Sequence, residues 1–298
     1  MDSSQPELET FASFETLCVG AAERIAQAAR SAVYNRKRFR LALSGGEALR
    51  ALYRRLAEEY RERIQWPQLT VFFADERCVP GPNAESNYAL AAGALLSHVP
   101  LAKRNEHRLS GELDPEIASR SYEKVLKREF PVLDDPAFDV LLLNVGADGS
   151  VAALYPGSAA LQERTRWVMP VRAPAPEPTP ERITLTPPIL NRAREVILFA
   201  VGAARAAVAR RIFEGDPTAR TLPAPSPPPR SAAWNARRGW SRGVRGNDSR
   251  RQSTIGDDRR WWTMATAARP CWVSCRCVCL PPPTLDRLRL SLTVVDCR

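Results

Sequence analysis

The stretch that decides the fold is FDVLLLNVGADGSVAALYPG, residues 138–157. The apolar run at 140–143 is typical of a strand that is covered on both faces, as in a parallel sheet. Gly146, Asp148 and Gly149 predict a flexible acidic turn at the carboxyl end of this strand, and the residues after the turn are predicted to open a helix. Ligands of open α/β sheets usually bind at that end of the strands. We therefore expect a functional site here.

Strands and helices are predicted to alternate along the rest of the chain. Further strands are expected at 39–43, 69–74, 182–186 and 195–201, and helices at 9–34, 47–60, 115–130, 187–193 and 205–214. This alternation predicts an α/β fold with a parallel-rich, Rossmann-like sheet flanked by helices.

Charge and cysteine divide the chain into two parts. Residues 225–298 contain 14 Arg and 5 Asp but neither Lys nor Glu, a net charge of +9. Residues 1–224 hold 29 basic and 28 acidic residues, a net charge of +1. Five of the seven cysteines and five of the seven tryptophans also follow residue 224. We predict an α/β domain at 1–224 and a separate basic tail, rich in Pro, Arg, Trp and Cys, at 225–298.

Three interpretations of the tail are open. Its arginines and tryptophans would fit a nucleic-acid-binding segment. Cys271, Cys275, Cys277 and Cys279 would fit a metal site, but they lack the paired C-x-x-C spacing of zinc sites. The biased composition favours the third interpretation, a sequence never selected to fold, such as a shifted reading frame of GC-rich coding sequence. Such a segment is expected to be disordered.

We predict neither a secretory signal nor a membrane-spanning helix in this sequence. The N-terminus, MDSSQPELETF, is acidic and has no apolar core, so it does not read as a secretory signal. Apolar runs fall short of the ~20 residues that a membrane helix needs. Cys18 and Cys78, far apart in the body, fit a reduced compartment better than a disulfide framework. We expect a cytoplasmic protein with no membrane partner.

Three groups of candidate binding residues lie at the edges of predicted elements. Small residues follow the strand at 39–43 and would present free backbone N–H groups to an anion at the start of a helix. Two carboxylates and an arginine follow the strand at 69–74, where they could orient sugar hydroxyls or a water and pair with a phosphate. Two further arginines lie at a strand start and a helix start. In chain order these residues are Ser44, Gly45, Gly46, Asp75, Glu76, Arg77, Arg182 and Arg205.

Each of these groups has a simpler alternative. The S-G-G turn could merely join a strand to a helix. Asp75, Glu76 and Arg77 could form a surface loop with an internal ion pair, and Arg182 and Arg205 could be solvated charges. The position of the charged residues at strand and helix edges favours the binding interpretation for them. The S-G-G turn alone leaves both interpretations open.

The motifs together resemble the 6-phosphogluconolactonase family over about residues 10–224. The family signature runs G-x-D-G-H-T-A-S-L-F-P, and residues 146–156 read GADGSVAALYP. Ser150 therefore stands where the family has His, and Val151 where it has Thr. Arg205 stands where the family has Lys. The other matches are D-E-R-x-V-P at 75–80, S-N-Y at 86–88 and R-I-T-L-T at 182–186.

The resemblance implies the fold shared with glucosamine-6-phosphate deaminases and ribose-5-phosphate isomerases. It also implies hydrolysis of 6-phospho-D-glucono-1,5-lactone in the pentose phosphate pathway, with a sugar phosphate as the small-molecule partner. The phosphate is expected against residues 44–46, Arg182 and Arg205, with Arg77 nearby. The lactone carbonyl is expected to face residues 148–150. Hydrolysis of an activated ester requires no cofactor or metal.

The family's His acts as the general base, and a serine hydroxyl is a poor substitute unless another group activates it. The catalytic set implied here is Ser150 and Asp148, with Asp75 or Glu76 partly replacing the base. His107 is a less favoured candidate, and we expect a structural role for it. Two main hypotheses follow: a lactonase with weak catalysis, or a catalytically inactive sugar-phosphate-binding protein of the same fold. Nucleic-acid binding through the tail is a third.

Overall fold

The computed structural model describes residues 7–132, 137–213 and 289–295. Its strands are β1 (Glu7–Phe11), β2 (Phe39–Leu43), β3 (Leu69–Phe73), β4 (Asp75–Arg77), β5 (Val140–Asn144), β6 (Val168–Arg172), β7 (Glu181–Leu185), β8 (Glu195–Val201) and β9 (Arg289–Val295). Its α-helices are α1 (Phe14–Arg36), α2 (Glu47–Glu58), α3 (Asn87–Ala94), α4 (Pro115–Glu129), α5 (Pro187–Leu190) and α6 (Ala203–Phe213).

The strands form two sheets. The larger sheet has the order β1-β9-β8-β5-β2-β3, and every neighbouring pair in it is parallel. The smaller sheet, β4-β7-β6, is antiparallel. The Leu185 backbone N–H donates to the carbonyl of Ala74 at 2.8 Å, which joins the start of the small sheet to the end of β3. The predicted parallel-rich α/β fold is confirmed.

The central strands are buried as their sequences predict. The apolar residues 140–143 of β5 are at most 2% exposed, because β2 and β8 pair with both edges and helices flank the sheet. Helix α1 turns one apolar face inward, with Leu17, Ala22 and Ile25 fully buried. Burial of these faces is the main contribution to stability.

The predicted helix at 9–34 begins later than expected. Residues 9–11 belong to β1, and α1 starts at Phe14 behind a capping box. The Ser13 hydroxyl accepts from the Thr16 N–H at 3.2 Å, and the Thr16 hydroxyl accepts from the Ser13 N–H at 3.2 Å. This reciprocal pair satisfies the amides at the helix start and fixes its boundary.

The prediction of a helix directly after the 146–149 turn is wrong. Val151 and Leu154 instead close a tight turn in which the Leu154 N–H donates to the Val151 carbonyl at 2.7 Å. Ala152 and Ala153 adopt left-handed φ angles of 47° and 54°, which no right-handed helix can contain. The spacing of apolar residues alone cannot predict this tight turn.

The tail contributes one strand to the large sheet. Residues 289–295, RLSLTVV, form β9 between β8 and β1. No order was predicted for the tail, but this segment combines alternating apolar residues with β-branched ones and has a strand on each side. The rest of 225–298 lies outside the described residues, so the interpretations of the tail remain predictions.

Two buried tyrosines hold the carboxyl ends of β2 and β3. The Tyr53 hydroxyl donates to the Ser44 carbonyl at 2.7 Å and accepts from the Ser44 N–H at 3.2 Å. The Tyr122 hydroxyl accepts from the Phe73 N–H at 2.8 Å and lies 3.2 Å from the His107 carbonyl. Burial raises the pKa of both tyrosines well above the ordinary range. Both hydroxyls therefore remain protonated and fix the backbone where the strands end.

We predict that Tyr53→Phe and Tyr122→Phe each lower the free energy of unfolding by about 1–3 kcal/mol, because a buried peptide N–H loses its acceptor. Urea unfolding measures the loss. Tyr34→Phe is the control, since Tyr34 is 80% exposed and should change stability by less than ~0.5 kcal/mol. Equal effects in all three variants would contradict the role assigned to the two buried hydroxyls.

Candidate active site

The predicted site residues lie at the carboxyl ends of adjacent strands. β2 lies between β3 and β5 in the large sheet, so the turn after β2 is flanked by β4 on one side and by the 146–150 turn on the other. β7 pairs with β4 and brings Arg182 opposite Arg77. The topology thus gathers stretches that are far apart in sequence.

The turn at 44–46 opens α2 without a side-chain cap. Gly46, the N-cap residue, has a φ of 119°, and no side chain accepts from the first amides of the helix. A Cβ at Gly45 would lie 1.8 Å from Asn87 Oδ1, so only glycine fits there. This is the geometry expected for the predicted anion cradle.

Two buried polar atoms at this edge have no hydrogen-bond partner among the described residues. They are Asn144 Oδ1 and Arg182 Nη1. Arg182 is 5% exposed. An unsatisfied buried polar group costs about 1–3 kcal/mol, so such groups in a native protein point to a partner such as a ligand or water.

Asn144 was not among the residues predicted from sequence. Its Nδ2 lies 2.6 Å from the place a Cβ would take at Gly46, so its side chain contacts the start of α2. A sequence signal did exist. Asn144 is the polar residue that ends the apolar run VLLLN at the carboxyl end of β5.

Glu76 has a structural environment. Its carboxylate is 2% exposed and accepts four hydrogen bonds, two on each oxygen. The donors are the backbone N–H groups of Arg77, Asn87 and Tyr88, at 2.7–2.8 Å, and the Ser86 hydroxyl at 3.0 Å. Burial raises the pKa of Glu76, and these hydrogen bonds oppose that rise. With its oxygens occupied, Glu76 caps the start of α3 and is poorly placed to activate a water.

Asp75, Arg77 and Arg182 share one face of the small sheet. Asp75 and Arg77 are two residues apart on β4, and Arg182 is the direct partner of Arg77 on β7. Two like charges directly opposite each other are unfavourable unless an anion balances them. Asp75 supplies part of that balance, and Glu177 pairs with Arg182 Nη2 at 3.0 Å.

The acidity of Asp75 is altered by this environment. Burial raises the pKa of its carboxyl above the ordinary value of 3.8. Arg77, a hydrogen bond from Asn87, Arg182 and the nearby Ser44 hydroxyl oppose the rise in that order. A carboxylate with a raised pKa accepts a proton more readily.

The side chains of the turn that follows β5 hydrogen-bond within the turn. The Ser150 hydroxyl donates to Asp148 Oδ1 at 2.6 Å, and the Ser150 N–H donates to the same oxygen at 3.0 Å. A Cβ at Gly146 would lie 2.4 Å from both side chains. The Thr184 hydroxyl, on β7, donates to the Ala152 carbonyl and ties the left-handed pair to the small sheet.

Arg205 and His107 make no hydrogen bond to this cluster among the described residues. Arg205 is exposed on the first turn of α6, and its Nη1 lies 3.4 Å from the Val201 carbonyl. His107 stacks on Phe72 with ring centroids 5.0 Å apart, and burial lowers its pKa. Its environment favours the structural role.

Among the described residues, no group of His, Cys, Asp and Glu has the arrangement of a metal site. Within the same ranges, no helix has the length and apolar character required to cross a bilayer.

The geometry defines an α/β protein whose candidate site gathers charged and polar residues at the carboxyl ends of a parallel sheet. The family model described as "Glucosamine-6-phosphate isomerases/6-phosphogluconolactonase" matches residues 12–234, and the chain belongs to this family.

Individual relatives agree with this assignment. The 6-phosphogluconolactonase of Rattus norvegicus is 39% identical over 229 residues, which cover 76% of this chain and 88% of the relative. A probable chloroplastic 6-phosphogluconolactonase of Oryza sativa subsp. indica is 35% identical over 216 residues, which cover 70% of this chain and 66% of the relative. The solved 6-phosphogluconolactonase of Trypanosoma cruzi is 30% identical with a TM-score of 0.64, and 74% of this chain and 89% of that chain are covered.

We predict that the stability of the Asp75→Asn variant relative to wild type rises with pH. The folded state holds the Asp75 proton to a higher pH than the unfolded chain does. Between these two pKa values the folded state binds more protons, so the wild-type free energy of unfolding falls as pH rises from about 3.8 through the raised value. The variant cannot ionise at this position and avoids that loss.

Urea unfolding of both proteins across this pH range measures the effect. Asn105→Ser is the control, because it changes no ionisable group and its stability difference from wild type should not vary with pH. A flat or falling difference for Asp75→Asn would show that the carboxyl is not destabilised by its burial.

Proposed function

We propose that this protein binds and hydrolyses 6-phospho-D-glucono-1,5-lactone to 6-phospho-D-gluconate, with a slow chemical step. The observation that carries this proposal is the facing pair Arg77 and Arg182 beside the uncapped 44–46 turn, where Arg182 Nη1 is buried without a hydrogen-bond partner among the described residues. The 6-phosphogluconolactonase relatives supply the substrate class. This reaction belongs to the pentose phosphate pathway.

The phosphate would bind between the two arginines and the start of α2. Arginine presents a fork of donors that matches phosphate oxygens, and the uncapped helix start adds backbone N–H groups. Arg205, beyond β8, would approach the substrate from the far side of β5. Asp75 and Asn144 would then face the sugar hydroxyls.

Hydrolysis requires that a water lose a proton as it attacks the lactone carbonyl carbon. The bond from that carbon to the ring oxygen then breaks, the ring oxygen takes up a proton, and the product is a carboxylate. Ser150 is a weak base, and its hydroxyl already donates to Asp148. Asp148 and Asp75 are the predicted catalytic carboxylates that keep acceptor capacity, because the oxygens of Glu76 are occupied.

A catalytically inactive sugar-phosphate-binding protein is the second candidate. The hydrogen bond between Ser150 and Asp148 favours it, since the turn is satisfied internally and holds no imidazole. Such a protein would bind 6-phosphogluconate without turnover of the lactone.

We also propose a cytoplasmic location, although the rice relative is named as chloroplastic. The nucleic-acid hypothesis concerns a part of the tail outside the described residues, and it predicts salt-dependent RNA binding.

We predict that Ser150→His raises kcat for lactone hydrolysis by about 10²–10⁴-fold over wild type, because a general base typically contributes that much. Rates are measured above the spontaneous hydrolysis of the lactone. Ser150→Ala is the matched control and should show no gain, since it removes the hydroxyl without adding a base.

Three other results are informative. A wild type as fast as Ser150→His would show that another group supplies the base. Two silent proteins that still bind 6-phosphogluconate would favour the inactive binding protein. If 6-phosphogluconate binds to neither, the proposed function is wrong.

A further inference from the structure

We propose that Asn87 is a positioning residue, which holds Arg77 beside Asp75 and keeps the free part of the Arg77 guanidinium available to the substrate phosphate. This inference rests on the proposed function. It assigns a role to the S-N-Y segment, which the sequence left without one.

The Asn87 amide lies between the two charged groups. Asn87 Oδ1 accepts from Arg77 Nη1 at 2.8 Å. Its Nδ2 donates to the Asp75 carbonyl at 2.9 Å and to Asp75 Oδ2 at 3.1 Å. One side chain therefore uses its acceptor for the cation and its donors for the acid. A carboxylate or a hydroxyl of similar size could not make the same set of contacts.

Asn87 is itself held on three sides. It is 1% exposed, and its backbone N–H donates to Glu76 at 2.7 Å at the start of α3. Its side chain fills the space above Gly45, where an added Cβ would lie 1.8 Å from Oδ1. The amide is thus fixed against the turn that we assign to the phosphate.

This arrangement leaves part of Arg77 free. Its two hydrogen bonds in the described ranges, to Asn87 Oδ1 and to the Glu85 carbonyl at 3.0 Å, both use Nη1. Nε and Nη2 remain for a ligand. Without the amide, a flexible arginine beside a buried carboxylate would close onto Asp75 as an ion pair. Asn87 prevents that closure because it occupies both partners.

The test is a double-mutant cycle on the binding of 6-phosphogluconate, measured by calorimetry on the full chain. We expect Asn87→Ala to weaken binding at least tenfold. In an Arg77→Ala background, the same change should weaken binding less than threefold, because the group it positions is already gone. Equal fold-losses in both backgrounds would overturn the inference.

Asn105→Ala is the matched control. Asn105 also donates an amide hydrogen bond, to the Leu69 carbonyl at 3.0 Å at the start of β3, away from the site. Its replacement should leave the affinity within twofold of wild type. A tenfold loss in this control would mean that amide removal acts through general destabilisation, and the inference would fail.

A second pair of variants separates folding from positioning. Gly45→Ala should destabilise the wild type because its Cβ collides with Asn87, and Asn87→Ala should relieve most of that loss by making room. The Gly45→Ala, Asn87→Ala double variant should then fold and still bind 6-phosphogluconate at least tenfold more weakly than wild type. Wild-type affinity in this stable double variant would overturn the inference.

Failure of the proposed function gives a different result. If the wild type does not bind 6-phosphogluconate, the proposed function is wrong. In that case the free energy of unfolding is measured instead, for the wild type, for Asn87→Ala, for Arg77→Ala and for the double variant. A double variant that loses less than the two single losses together shows that Asn87 fixes Arg77, and additive losses overturn that contact.

Discussion

The carboxylate of Glu76 holds the start of α3 against β4 through hydrogen bonds, and the arrangement of the candidate site depends on this contact. Removing a carboxylate from water is costly, and here four donors compensate. Three of them belong to consecutive residues, the Ser86 hydroxyl and the backbone N–H groups of Asn87 and Tyr88, so this segment has little freedom to move. Asn87 reaches Gly45 and Asp75 because its backbone is held in this way. A buried acid thus sets the position of Asn87 and, through it, the contacts of Asp75 and Arg77.

The strained turn after β5 depends on a similar support. Ala152 and Ala153 both have left-handed φ angles, each of which costs an L-residue roughly 1–2 kcal/mol. The Thr184 hydroxyl bonds to the Ala152 carbonyl, so the R-I-T-L-T strand holds the signature turn in place. Strained backbone of this kind is often found at functional sites. Two motifs that are distant in sequence are therefore one physical unit.

Much of the fold could be predicted from the sequence because long apolar runs leave few alternatives. The strands predicted at 39–43, 69–74 and 195–201 are present, with bounds that agree to within one residue. The gathering of residues 44–46 and 75–77 followed from the rule that parallel strands end at one edge. The 151–154 turn could not be predicted, since two alanines give no signal for left-handed backbone. The role of β9 was hidden by the composition of the tail around it.

The candidate site could be predicted in location more reliably than in role. Asp75 and Glu76 are chemically alike, so the sequence makes both of them candidate bases. Alternation along β4 separates them, because Asp75 and Arg77 share a face and Glu76 points the other way. That rule was available from the sequence. The contacts that occupy Glu76 were not, since they depend on where α3 packs.

The place of β9 in the sheet has a consequence for how the chain is made. Glu7 pairs with Ser291, so the first described strand has its partner near the opposite end of the sequence. During synthesis, β1, β8 and all the candidate site residues leave the ribosome long before residues 289–295 do. During that interval β8 has an open edge and β1 has no neighbour, which is a state that favours pairing with other chains. Newly made chains would therefore be most exposed to such pairing during the synthesis of the tail.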